Sequence, residues 1–191
     1  MPPKHIRSLF CLFAASTSLL AGTVSVQPGT TGAAPGQSVV LTVQVSGVTD
    51  LYGYQFDLGF NPAVLAAVSV TEGPFLTGGG ATIFLPGTID NVGGSITANA
   101  DILDGAVSGV SGSGTLLTVS FQALAAGSST VQVFNLMALD SFGLGLTLTT
   151  SSSTVTVTGA VPEPGTGVLL VAGALGLSTV FRRRAPRRGA S

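Results

Sequence analysis

The chain has 191 residues and a net charge of −1, but that near-neutrality averages unlike segments. Residues 23–159 carry seven acids (Asp50, Asp57, Glu72, Asp90, Asp101, Asp104 and Asp140) and no lysine, arginine, histidine or cysteine, a local net charge of −7. Such a stretch cannot build a Ser-His-Asp or Cys-His nucleophile, a His/Cys metal centre or a basic phosphate clamp, and its field repels nucleic acid.

Residues 1–22 have the layout of a secretory signal peptide. Lys4, His5 and Arg7 form a basic start, "SLFCLFAAS" an apolar middle and "LLAG" a small-residue exit. The apolar run is short and Ser16, Thr17 and Ser18 break it, which argues against a membrane-spanning helix. Cys11 is the only cysteine, so an exported chain lacking this segment forms no disulfide and its core alone must hold the fold.

Residues 23–159 are of a size for one domain, and their pattern is that of β-strands. In "SVVLTVQVS" Val39, Leu41, Val43 and Val45 share a face. Leu117, Val119, Phe121 and Ala123 do so in "TLLTVSFQAL", as do Val155 and Val157 in "STVTVT". Alternation of this kind, rich in Thr and Val, marks half-buried strands. Turn signals separate them at Pro35-Gly36, Asn61-Pro62, Pro86-Gly87, Gly93-Gly94, Asp104-Gly105 and Gly127. Only "NPAVLAAVSV" has a helical option, and Val68 and Val70 draw its end towards strand. The expectation is an all-β sandwich of about nine strands.

The acids leave two chemistries to weigh. Asp101 and Asp104 are the closest pair for glycoside hydrolysis, but both flank a loop and Asp104-Gly105 reads as a turn. Calcium is the other option, since hard cations take carboxylate and carbonyl oxygens. Asp90, Asn91, Asp101 and Asp104 are its nearest candidates, yet no loop has ligand spacing, so no cofactor is expected. Tyr52 and Tyr54 would make sugar platforms only if they faced outwards. With Phe56, Leu58 and Phe60 they instead form one apolar stripe, and the opposite face, Gly53, Gln55, Asp57 and Gly59, is the candidate binding face.

The segment "DLYGYQFDLGFNPAVLAAVSVTEGP" resembles the signature of cohesin domains, with Phe60, Asn61, Pro62 and Leu65 at the positions of its aromatic-Asn-Pro-x-x-Leu pattern. "APGQSVVLTVQVSGV" before it and "GSGTLLTVSFQALAAGSSTV" after it fit the same family. The resemblance implies a jelly-roll β-sandwich that binds a partner non-covalently. Gly53 and Gln55 stand where type I cohesins carry Asn and Asp for dockerin, a departure that points away from ordinary dockerin recognition.

Residues 160–191 differ from everything before them. Val161-Pro162-Glu163-Pro164 leads into 17 uncharged residues, 165–181, and then Arg182, Arg183 and Arg184, with Arg187 and Arg188 closing a basic end over 182–188. As a helix the uncharged run would span about 25 Å, the lower limit for crossing a bilayer, and the arginines would remain cytoplasmic. The three parts in this order resemble the PEP-CTERM sorting signal of Gram-negative bacteria. That resemblance implies processing by an exosortase, passage through the inner membrane and delivery to the cell surface or beyond. The chain thus reads as an exported, non-enzymatic surface or extracellular-matrix module that binds protein or polysaccharide. A structural protein of an exopolysaccharide matrix and a secreted carbohydrate-active enzyme are the alternatives.

Overall fold

The computed structural model describes residues 22–29 and 32–159. The segments expected to be the signal peptide, apart from Gly22, and the sorting tail lie outside the described residues. Among the described residues no helix is long and apolar enough to cross a membrane.

Among the described residues eleven strands form two sheets. The first is ordered β10 (Thr149–Ser151), β1 (Thr23–Pro28), β3 (Ser38–Leu51), β8 (Val110–Ala123), β5 (Leu65–Glu72). The second is ordered β2 (Gly32–Ala33), β11 (Ser153–Val157), β9 (Gly127–Leu139), β4 (Gly53–Gly59), β7 (Ser95–Leu103), β6 (Thr82–Asp90). The expected nine strands fall two short because β2 and β10 are only two and three residues long, too brief to alternate. The long partners β3 and β8 run antiparallel, and Val39, Leu41 and Val43 oppose Phe121, Val119 and Leu117. Those side chains meet Phe56, Leu58, Ile96 and Val155 of the second sheet in one buried core. Two aromatic pairs tie it together: Tyr54 stacks on Phe56 with ring centroids 5.4 Å apart, and Phe60 meets Phe121 edge to face at 5.2 Å.

"NPAVLAAVSV" is not helical. Asn61 Oδ1 accepts the Ala63 N–H at 3.0 Å, and the Asn61 carbonyl accepts from Val64 and Leu65. This single turn around Pro62 delivers Leu65 directly into β5. Among the described residues helix occurs only as α1 (Pro74–Thr77), one turn that inserts Phe75 and Leu76 into the core. Pro86-Gly87 also departs from expectation, because it lies inside β6 and makes no chain reversal. Gly87 sits at φ 77, and a Cβ there would stand 2.7 Å from the Thr97 carbonyl oxygen, so the strand bends at a residue that only glycine suits.

A candidate binding face on the second sheet

The outward face of β6, β7, β4 and β9 is shaped by two β-bulges, one on each neighbour of β4. Along β7 the register with β4 shifts by one residue between Phe56 and Leu58, and Ala98 takes φ 59. Along β9 the shift falls between Gln55 and Asp57, and Asn135 takes φ 52. One extra residue in a strand sends every later side chain to the opposite face.

The consequence is visible on both strands. Ile96 points into the core, so strict alternation would bury Ile102 and expose Asp101; the bulge reverses this, burying Asp101 and exposing Ile102. Val131 and Val133 point inwards, so strict alternation would bury Met137 and Leu139. The bulge turns them outwards, and Met137 is 63% exposed. Ile83 and Leu85 of β6, 55% and 56% exposed, continue the surface beside Ile102 and Ala100. Together they line a shallow groove of about 250 Å³ over Gly53 and Gln55. The one acid among its lining residues, Asp101, is buried beneath the surface at 1% exposure.

Asp57 holds both bulges. Its Oδ1 accepts the Ala98 N–H at 2.7 Å and its Oδ2 accepts from Asn135 Nδ2 at 2.8 Å. Two residues in the left-handed region, neither of them glycine, are thereby fixed on either side of the central strand.

The three residues singled out on this face have different fates. Gly53 lies beneath Ile102, and a Cβ there would stand 3.0 Å from Ile102 Cγ1, so its role is to let that side chain lie flat on the sheet. Gln55 is exposed on the groove floor between Ala100 and Met137. Asp57 is on the face, but its carboxylate is committed to the bulges. The apolar rim of Ile83, Leu85, Ile102, Met137 and Leu139 escaped the sequence reading, since apolar residues in a β-pattern are ordinarily counted as core.

The other acids do not converge. Asp90 accepts the backbone N–H groups of Val92 and Gly93, and these bonds lower its pKa. Asn91 bonds the N–H and the carbonyl of Ala67 with its amide, joining the β6–β7 hairpin to the other sheet. Asp101 is not at a loop, as the sequence suggested, but inside β7 and buried. Among the described residues no group of three or more His, Cys, Asp or Glu side chains could hold a metal ion. Tyr54 is buried as expected, and its hydroxyl donates to the Leu116 carbonyl oxygen at 3.0 Å across the sandwich.

Solved structures share this architecture. A non-cellulosomal cohesin from Archaeoglobus fulgidus matches with a TM-score of 0.58 at 18% identity, over 72% of this chain and 91% of its own. The type II cohesin-X-dockerin complex of Acetivibrio cellulolyticus, an N-terminal interface mutant, matches with a TM-score of 0.60 at 17% identity, over 72% and 99%. A type I cohesin-dockerin complex from Clostridium thermocellum matches with a TM-score of 0.59 at 13% identity, over 71% and 99%. At these identities the likeness establishes the fold. No curated protein matches the chain. The family model for the cohesin domain matches residues 24–162, most of the chain, and the protein therefore belongs to the cohesin domain family.

Proposed function

We propose that this cohesin domain is a non-catalytic protein-binding module that docks a dockerin-type partner on the outward face of β6, β7, β4 and β9. The observation that carries the reading is the uncharged apolar patch of Ile83, Leu85, Ile102, Met137 and Leu139. Side chains of this size exposed together on a flat sheet are the pattern of a surface covered by a partner. Support also comes from relatives of the same fold solved as cohesin–dockerin complexes. Contact through aliphatic groups answers the departure at Gly53 and Gln55, because such a face needs no Asn and Asp at those positions.

The finer reading concerns delivery. The chain is exported by its N-terminal segment and sorted by its PEP-CTERM-like tail, through the inner membrane and an exosortase, to the cell surface or extracellular space. Val157 pairs with Gly127 at the start of β9, whereas Met137 and Leu139 lie at that strand's far end, about 35 Å away at the usual rise per residue. A tether after Gly159 would therefore hold the patch at the end of the domain far from the membrane.

Amide hydrogen exchange with an added dockerin module tests the binding reading. Protection confined to β4, β6, β7 and β9 supports it, and protection confined to β1, β3 and β8 refutes it. Replacement of Pro162, Glu163 and Pro164 by alanine tests the sorting reading in a host with an exosortase. Uncleaved protein should be trapped in the inner membrane, and processing identical to that of the native chain would contradict it.

A further inference from the structure

The same bulge that exposes Ile102 buries Asp101, which is only 1% exposed and whose two carboxyl oxygens have no hydrogen-bond partner. An ionised carboxylate in that setting is costly unless a positive charge answers it. Among the described residues there is none, since residues 23–159 contain no lysine, arginine or histidine. The groups around it make matters worse. Tyr54 of β4 and Phe84 of β6 are its cross-strand neighbours. From the opposite sheet Glu72, the last residue of β5, brings its carboxylate beside Asp101. Glu72 is itself placed by a hydrogen bond from the Thr82 hydroxyl of β6. Strand β8 contributes the Leu116 carbonyl, which receives the Tyr54 hydroxyl, and α1 contributes only Phe75 and Leu76. Glu72 and Tyr54 are thus the titratable groups facing Asp101, and neither supplies a positive charge.

We propose that Asp101 keeps its proton in the folded domain, where the Glu72 carboxylate faces it across the gap between the sheets, and that losing this proton as the pH rises loosens the β6–β7 edge that carries the apolar patch. Burial first, and the Glu72 charge second, push the Asp101 carboxyl up to about 7. Burial, then the charges of Asp101 and Glu72, raise the Tyr54 hydroxyl as well, so that it remains a donor. The folded domain therefore binds a proton that the unfolded chain releases near 3.8. Stability is full below that value, falls as the pH climbs towards about 7, and levels off above it. Strand β7 transmits the change, because Ala100 and Ile102 flank Asp101 and point outwards into the groove. This consequence rests on the docking reading of the face, but the proton itself does not, so the test below needs no partner.

Urea unfolding of the full chain between about pH 5 and pH 8 reads the proton directly. For the native sequence the folded-to-unfolded ratio should fall by about tenfold or more between pH 5 and pH 7, and Asp101→Asn should be nearly flat over that range. Glu72→Gln should shrink the fall without abolishing it, and it serves if Asp101→Asn does not fold. Parallel profiles for the native chain and the variants would overturn the proposal. So would a rise in stability at pH 8 on adding calcium or magnesium that a chelator reverses and Asp101→Asn lacks, since a divalent cation would then occupy the proton's place.

Discussion

Asn135 of β9 donates to Asp57 of β4 at 2.8 Å, and this contact fixes the bulge that turns Met137 and Leu139 out of the core. The second oxygen of Asp57 holds the matching bulge at Ala98. Asp57→Ala removes both acceptors and should cost about 1–3 kcal/mol. Gln55→Ala, on the same face two residues away, makes no such bond and should stay within about 0.5 kcal/mol of the native chain. Denaturant unfolding of the two variants checks the contrast; equal effects would mean that Asp57 is an ordinary surface residue.

Backbone strain at the bulges gives a second expectation. Ala98 at φ 59 occupies a region that glycine enters freely and β-branched residues avoid. Ala98→Gly should leave stability unchanged or raise it by up to about 1 kcal/mol, whereas Ala98→Val should lower it by more than that. The midpoints of thermal unfolding, read in that order, decide the matter.

The alternation in β3, β8 and β11 is plain in the sequence because "SVVLTVQVS", "TLLTVSFQAL" and "STVTVT" carry their inward Val, Leu and Phe at every second position. The Tyr54–Phe60 stripe was plain for the same reason. What the sequence hid lies beyond the bulges. Nothing in "SITANADIL" announces that an alanine will take positive φ, and the asparagine in "VFNLMAL" is only a weak signal for it; one slip on β9 converts Met137 from core to surface, and one on β7 converts Asp101 from surface to core. The Asp57 carboxylate that sets the slip acts 41 residues away in sequence on Ala98 and 78 residues away on Asn135, out of reach of any local pattern. Glu72 and Asp101 likewise meet only because the two sheets close on each other.

Core packing supplies a third expectation. Phe56 is fully buried between Tyr54 and the opposite sheet, and Phe56→Ala should cost about 3–5 kcal/mol, enough to unfold a domain of ordinary stability. Circular dichroism of the purified variant would show it, and a native-like melting curve would contradict the packing.

At the acid end the loops respond. Asp50 accepts from the Ser141 hydroxyl at 2.7 Å and the Gly109 N–H at 2.7 Å, drawing the loops after β7 and β9 to the end of β3. The Ser141 hydroxyl above all, with the two backbone donors, lowers the Asp50 pKa below 3.8. A depressed carboxylate contributes stability above its unfolded value, and that contribution is lost as the pH falls through its folded value. Proteolysis within residues 140–145 should therefore accelerate below about pH 4 in the native chain. Asp50→Asn should accelerate it already at neutral pH, with no change in cleavage elsewhere.

The docking face is tested most directly by calorimetric titration of a dockerin module into the chain, comparing Met137→Glu with Val68→Glu. Both residues are 63% exposed and apolar, one in the patch on β9 and the other on β5 of the opposite sheet. The account predicts that the native chain binds, that Met137→Glu weakens binding by about thirtyfold or more, and that Val68→Glu binds as the native chain does. Undiminished binding by Met137→Glu, or loss of binding only in Val68→Glu, would contradict it.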